Sequence, residues 1–248
     1  PVRTDLGRRI RQGFIAGSPE MKLISADYSQ VELRILAHLS DDPALREAFA
    51  QNADIHSDTA ARIFGVMHGL VTPEMRRQAK AVNFGVVYGI SAFGLSQNLG
   101  ISRAEAARFI DHYFEQYPRV RAWIDRTLEE AREKGYVTTV LQRRRPVPDL
   151  NSTNNIARRA AERVAINTPV QGSAADIIKV AMVRLDAALQ GSRSRMLVQV
   201  HDELLVESTA AEAGEAAATV KRIMEEAFPL TVPLKVDIGI GNNWAEIH

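Results

Sequence analysis

Strand-like segments lie near both ends of this chain, and the long middle reads as helix. Residues 21–27 run Met-Lys-Leu-Ile-Ser-Ala-Asp, an apolar stretch that ends on a carboxylate. Residues 196–200 and 204–207 alternate in character around His201-Asp202-Glu203, which predicts a hairpin with acids at or beside its turn. Val232–Ile238 predicts a last strand. Strands this far apart in sequence point to one α+β domain interrupted by a helical insertion.

The middle carries helix signals one after another. Residues 30–39 have helical spacing of apolar positions, and Asp41-Asp42-Pro43 can start a further helix. Residues 102–116 follow a candidate cap at Ser102, and residues 118–134 restart at Pro118 and stop at Gly135 beside Lys134. A short β-branched run, Val137–Leu141, predicts a strand. Ala-rich helices are expected over 155–166 and 173–189, and a last helix over 211–227.

The absence of cysteine excludes disulfides and thiolate metal sites, which leaves oxygens and six histidines as metal ligands. With 46% hydrophobic and 25% charged residues, extended disorder is excluded. No apolar run approaches about 18 residues, and no signal peptide is visible, so a cytoplasmic location is expected. The start at Pro1 rather than Met reads as a fragment or a processed chain. Net charge is only +1, so any nucleic-acid surface must be local. One basic stretch holds Arg143, Arg144, Arg145, Arg158, Arg159 and Arg163 against Asp149 and Glu162. It is equally compatible with a plain solvated surface.

Asp27 and Asp202 each mark a point where strand burial gives way to an end. Alone, either is compatible with a strand-terminating or capping role. Together, carboxylates at adjacent strand ends can hold a pair of hard divalent cations and drive in-line displacement at phosphorus. Between them lies Arg76-Arg77-Gln78-Ala79-Lys80-Ala81-Val82-Asn83-Phe84-Gly85-Val86-Val87-Tyr88-Gly89, with Thr72 as its cap and Pro73 in its first turn. Arg76, Lys80, Phe84 and Tyr88 are four apart and form a slanting stripe on one side of a helix. Its cations suit the oxygens of a triphosphate, and its aromatic faces suit a stacked base. Core packing of the aromatics with solvated cations is the alternative. Gly85 and Gly89 leave room for a close approach.

These segments resemble the family A DNA polymerases, the bacterial DNA polymerase I family. Ala26-Asp27-Tyr28-Ser29-Gln30-Val31-Glu32-Leu33-Arg34 is similar to the family's first catalytic motif. Arg76–Gly89 is similar to its nucleotide-binding fingers helix, and Gln199–Glu203 to its third motif. Asp54-Ile55-His56-Ser57 and Asn167-Thr168-Pro169-Val170-Gln171-Gly172 also match, in family order. The likeness covers essentially the whole chain. It implies an antiparallel-sheet palm, residues 1–40 and 172–248, interrupted by mostly helical fingers, residues 41–171.

The same resemblance implies the roles. Asp27 and Asp202, with the backbone carbonyl of Tyr28, would bind two Mg2+ ions, for which Mn2+ substitutes. Glu203 would be a supporting acid, its side chain directed away from that of Asp202. Arg76, Lys80 and His56 would bind the triphosphate of a dNTP, and Lys80 would also protonate pyrophosphate. Phe84 would stack on the nucleotide, and Tyr88 would sit near the templating base. Glu32, held by Tyr88, would gate against the ribose 2′-hydroxyl, and Gln30 would join the substrate contacts. Arg163, Asn167, Gln171 and His201 would contact primer–template DNA.

The implied reaction is template-directed DNA synthesis with release of pyrophosphate, in a bacterial cytoplasm at the nucleoid. The chain opens at Pro1-Val2-Arg3-Thr4, downstream of the family's thumb and first palm segment. An upstream thumb and exonuclease-region segment is therefore an expected partner. The alternative is a catalytically weak or inactive DNA-binding fragment. Gln142 stands where relatives often carry Gly.

Overall fold

Thr4 opens the first helix by accepting a hydrogen bond from the Gly7 amide. In this computed structural model residues 4–247 are described; Pro1, Val2, Arg3 and His248 lie outside the described residues. In chain order the elements are α1 (Asp5–Gln12), β1 (Met21–Tyr28), α2 (Val31–Ser40), α3 (Pro43–Ala50), α4 (Ile55–Phe64), α5 (Pro73–Val87), α6 (Ala92–Leu99), α7 (Arg103–Gln116) and α8 (Pro118–Lys134). Then follow β2 (Tyr136–Thr138), β3 (Arg144–Pro146), α9 (Asn155–Leu189), β4 (Arg195–Val200), β5 (Glu203–Thr209), α10 (Ala213–Glu225) and β6 (Val236–Gly241). The architecture is α+β, with an antiparallel sheet and a mostly helical middle.

The chain divides into two compact units. One comprises Pro1–Val31, Ile177–Pro229 and Leu234–His248; the other comprises Glu32–Asp176 and Leu230–Pro233.

The first unit is built on a sheet of order β4-β5-β1-β6, antiparallel throughout. Alternation along β1 sorts its side chains onto two faces. Ile24, Ala26 and Tyr28 point to the face covered by α10, where the Tyr28 hydroxyl donates to the Met224 carbonyl at 2.7 Å. Leu23, Ser25 and Asp27 point to the other face. There Leu23 packs with Leu205 and Ile247, with Ala16 and Trp244 against them. At Gly239 a Cβ would lie 2.6 Å from the Ile247 carbonyl oxygen, so only glycine lets the C-terminal segment cross so closely.

The second unit holds α3 to α8, most of α2, the first part of α9 and the small β2–β3 hairpin. Local signals set most of its helix ends. Asp42, Asp54, Thr72, Ser91 and Ser102 each cap the helix that follows through their side chains. Gly65, Gly100 and Gly135 end α4, α6 and α8 in the left-handed conformation. Tyr113 and Tyr117 are fully buried, their rings 4.8 Å apart between centroids.

Three sequence expectations differ from the structure. The helices expected over 155–166 and 173–189 are one, α9, with Pro169 inside it. A proline within a helix costs about 3 kcal/mol. Here buried Ala165 and Val170 anchor the helix on both sides of Pro169, and Thr168 Oγ1 donates to the Val164 carbonyl at 2.6 Å. Packing of a continuous buried stripe outweighs the local break. The strand expected at Val137–Leu141 is only Tyr136–Thr138, because the chain turns at once: Gln142 N donates to Thr139 O and Thr139 N to Arg143 O. The strand expected at Val232–Ile238 is displaced to Val236–Gly241. Pro233 has no amide to give a ladder, and its carbonyl accepts from Arg34 at 2.6 Å instead.

Candidate active site

The sheet delivers Asp27 to a crowded acidic end. In β1 it pairs directly with Glu203 of β5 on one side and with Asp237 of β6 on the other. Asp202 sits in the two-residue turn between β4 and β5, where His201 takes a left-handed φ of 58°. The Asp202 carbonyl accepts from the Tyr28 amide at 3.2 Å, which ties the turn to β1. Burial, then the charges of Asp202, Glu203 and Asp237, push the Asp27 carboxyl up to about 6, with Arg11 opposing. The Asp202 carboxyl is also raised, chiefly by burial. This is an end of a sheet with more negative charge than its own cations offset.

Glu203 is buried, and its Oε1 accepts from Ser25 Oγ at 2.7 Å and from Trp244 Nε1 at 2.8 Å. Trp244 is itself held. Arg11 lies 4.2 Å over its ring, Phe14 meets it edge-on, and its amide donates to the Phe14 carbonyl. Among the described residues no three His, Cys, Asp or Glu side chains form a metal cage. Two carboxylates and a backbone carbonyl are a sparse donor set. Such a set suits Mg2+, which keeps waters and takes substrate phosphates as ligands rather than a complete protein shell. The Tyr28 phenol is committed elsewhere, so only its backbone can contribute. Gln30, with φ 56°, lies in the turn after β1.

The second unit holds the other group. Thr72 caps α5 and Pro73 occupies its first turn, so Arg76, Lys80 and Phe84 fall on one stripe; Tyr88 is the residue that closes the helix. Arg76 makes a two-pronged ion pair with Asp54, Nε to Oδ2 at 2.6 Å and Nη2 to Oδ1 at 3.3 Å. Burial would raise the Asp54 carboxyl, but hydrogen bonds from Arg76 and Ser57 outweigh it and bring it to about 2. Lys80 Nζ is exposed and lies 6.0 Å from the Phe84 ring centroid. The His56 ring is 5.7 Å from Phe84, and its Nδ1 is 3.1 Å from Asn83 Nδ2. Burial first, then the charge of Lys80, lower the His56 imidazole to about 4, so it is neutral at neutral pH. The Tyr88 hydroxyl donates to Glu32 Oε2 at 2.7 Å.

The two glycines of α5 and its end make room for the chain itself. A Cβ on Gly85 would lie 2.6 Å from Ile90, and one on Gly89, at φ 63°, would meet Arg163 and Ile166. Arg163, Asn167 and Gln171 form a stripe on α9. With its nitrogen facing them, the Asn167 amide donates to the carbonyls of Val87 at 2.7 Å and Arg163 at 3.2 Å, joining α9 to the end of α5. Gln171 lines a cavity with Arg143, Arg144 and Arg145, and Arg143 pairs with buried Asp176 at 2.8 Å.

The site residues named from sequence thus fall into two groups. Asp27, Tyr28, Gln30, His201, Asp202 and Glu203 belong to the first unit. Glu32, His56, Arg76, Lys80, Phe84, Tyr88, Arg163, Asn167 and Gln171 belong to the second. Sequence reasoning passed over Ser25, Trp244 and Asp237 beside the carboxylates, and Asn83 and Thr59 behind His56. Only Asn83 left a trace in the sequence, an amide on the otherwise apolar side of α5.

A family model, DNA polymerase family A, matches residues 1–246. The chain is 55% identical over 246 residues to "DNA polymerase I, thermostable" of Thermus filiformis, covering 99% of this chain and 29% of that protein. It is 53% identical over 246 residues to DNA polymerase I of Bacillus caldotenax, covering 98% of this chain and 28% of that protein. Among solved structures it is similar to the POL domain of Pol1 from M. smegmatis in complex with DNA primer-template and dNTP. The TM-score is 0.96 at 50% identity, over 100% of this chain and 44% of that one. The chain therefore spans under a third of the length of the curated relatives it matches.

Proposed function

The chain belongs to DNA polymerase family A, and we propose that it carries the nucleotidyl-transfer site of template-directed DNA synthesis. In this reading residues 1–40 and 172–248 serve as palm, and residues 41–171 as fingers. The primer 3′-hydroxyl loses its proton to water, its oxygen forms a bond to the α-phosphorus of a dNTP, the bond from that phosphorus to the α–β bridging oxygen breaks, and pyrophosphate leaves. One observation carries the proposal: the under-compensated carboxylates at the end of β1 and at the β4–β5 turn.

Asp27 and Asp202, with the Tyr28 carbonyl, would hold two Mg2+ ions, replaceable by Mn2+. When bound, such ions supply Lewis-acid stabilisation of the attacking and leaving oxygens. Glu203 supports the site from behind, its Oε1 bound by Ser25 and Trp244. Arg76 and Lys80 bind triphosphate oxygens, for which Arg76 exchanges part of its pairing with Asp54. Lys80 Nζ gives a proton to the departing pyrophosphate. His56 donates a neutral hydrogen bond, Phe84 stacks on the nucleotide, and Tyr88 with Glu32 and Gln30 borders the sugar and templating base. Arg163, Asn167, Gln171 and His201 touch primer or template. In this reading the protein acts on bacterial DNA in the cytoplasm, at the nucleoid. Among the described residues no helix is long and apolar enough to cross a membrane.

The 29% span of the relatives favours a second reading, in which the chain binds DNA weakly and needs an upstream thumb segment for turnover. Duplex affinity rests largely on phosphate contacts and falls with salt, and a net charge of +1 gives few of them. A primer–template titration across salt concentrations, beside single-encounter extension, tests both. Weak, shallow binding and one or a few added nucleotides are expected from the chain alone, with tight binding restored by an added upstream segment. No extension in either condition contradicts the transferase reading; long products from the chain alone remove the second.

A further inference from the structure

Behind His56, in the second unit, lies a file of buried polar groups that the nucleotidyl-transfer chemistry leaves unused. Tyr117 Oη and Thr59 Oγ1 are 3.2 Å apart, Thr59 Oγ1 and Asn83 Oδ1 are 3.1 Å apart, and Asn83 Nδ2 and His56 Nδ1 are 3.1 Å apart. Tyr117, Thr59 and Asn83 are each fully buried, and His56 nearly so. Buried polar groups of this kind carry a large cost unless each donor meets an acceptor.

Proton counting sets the direction. The Tyr117 phenol is held protonated by burial, which raises its pKa. Among the described residues Thr59 Oγ1 is the one hydrogen-bond partner of its hydroxyl. Tyr117 must therefore donate, or strand a buried proton. Thr59 then accepts from Tyr117 and spends its own proton on Asn83 Oδ1. The Asn83 amide is thereby oriented with its nitrogen toward His56, and Nδ1 has to accept. Turning the amide over would aim a second donor at Thr59 Oγ1 and leave one buried hydroxyl proton of the file, that of Thr59 or of Tyr117, without an acceptor.

We propose that Tyr117, Thr59 and Asn83 form a one-way relay that keeps His56 neutral with its proton on Nε2, and so presents that N–H as a donor to the phosphate oxygens of a nucleoside triphosphate. The charged groups facing His56 agree with a neutral ring. Arg76 and Lys80 of α5 repel a cation there, and they outweigh the attraction of Asp54 at the start of α4. A protonated Nδ1 would also meet the Asn83 amide nitrogen donor to donor. Asn83 is thus a positioning residue: it acts on substrate only through His56. The triphosphate end of this inference rests on the function proposed above, and the tautomer does not.

The test uses this chain with 15N-labelled histidine, the His56 signals being identified by loss in His56→Gln. The wild type is expected to show the Nε2–H tautomer at pH 7. Asn83→Leu should convert His56 to mixed or Nδ1–H signals, and Asn83→Asp should place a proton on Nδ1. Inorganic tripolyphosphate should shift the wild-type Nε2 signal, and Asn83→Leu should bind it about tenfold more weakly. If Asn83→Leu does not fold, Thr59→Val replaces it, with mixed tautomers expected once the amide is free to turn. An Nδ1–H or cationic His56 in the wild type at pH 7 overturns the relay. Equal tripolyphosphate affinity in wild type and variant, with the tautomer changed, overturns its role in presenting His56. A wild type with the expected tautomer but no tripolyphosphate binding overturns the triphosphate reading instead, which separates the two failures.

Discussion

The hydroxyl of Tyr88 reaches Glu32 Oε2 at 2.7 Å, joining the residue that closes α5 to the first turn of α2 across 56 positions of sequence. A carboxylate fixed by a phenol is a rigid wall rather than a mobile surface charge. If it borders the sugar of an incoming nucleotide, a 2′-hydroxyl meets that wall. Glu32→Ala should therefore raise ribonucleotide incorporation relative to deoxynucleotide by roughly 10- to 100-fold, within the range a filled pocket can discriminate. Tyr88→Phe should have a smaller effect in the same direction. Competition between rNTP and dNTP in single-nucleotide extension measures this, and unchanged selectivity in Glu32→Ala would remove the gate.

Lys80 is exposed and four residues from Phe84 on the stripe of α5. A cation that faces charge growing in the transition state affects chemistry more than binding. Lys80→Ala should lower the single-turnover rate by about 100-fold, with a smaller loss of nucleotide affinity. Pre-steady-state extension separates the two. A change in affinity alone would mean that Lys80 binds substrate without serving the chemical step.

Much of the fold was legible because short-range signals and packing agree in it. The apolar run that ends at Asp27 is β1, and Thr72-Pro73 opens α5 as its capping chemistry requires. Pro169 shows where that agreement fails. Its local cost predicts a break, yet buried residues on both sides keep α9 whole, and burial cannot be seen from a neighbouring residue. Of the candidate site, the strand-end acids and the α5 stripe were visible as patterns. The supports were not: Trp244 reaches Glu203 from 41 positions away, and Asn83 matters through Thr59, 24 positions distant. Contacts of that kind leave no periodicity.

Gln142 gives a stability test. Its φ of 60° lies in the left-handed region, inside the turn that joins β2 to β3. A side chain there costs about 1–2 kcal/mol, partly offset by the backbone entropy that glycine loses on folding. Gln142→Gly should therefore stabilise the protein by about 0.5–1 kcal/mol in denaturant unfolding. A loss of stability would show that the Gln142 side chain makes a compensating contact.

His56 links stability to pH. Its imidazole falls from an ordinary value near 6.5 to about 4 in the folded chain, so the unfolded state binds more protons between those values. The stability that this group contributes is present above pH 6.5 and lost as pH falls toward 4. Wild type minus His56→Gln should thus lose stability on acidification through that window, on the order of 3 kcal/mol in total. Taking the difference cancels other titrating groups. A flat difference between pH 7 and 4 would contradict a buried neutral His56.

The carboxylates at the end of β1 and in the β4–β5 turn are the centre of the account, and single-nucleotide primer extension by wild type, Asp27→Ala and Asp202→Ala tests them most directly. It should be run with and without Mg2+, and with an upstream thumb segment supplied, beside thermal unfolding of each chain. Removing either acid deletes a carboxylate proposed above to hold a cation, at little loss of packing, and it relieves repulsion within the cluster. The account predicts extension that requires Mg2+, a loss of about 1,000-fold or more in each variant, and unfolding temperatures equal to or above the wild type. Wild-type turnover by both variants, or extension in excess chelator, would contradict it.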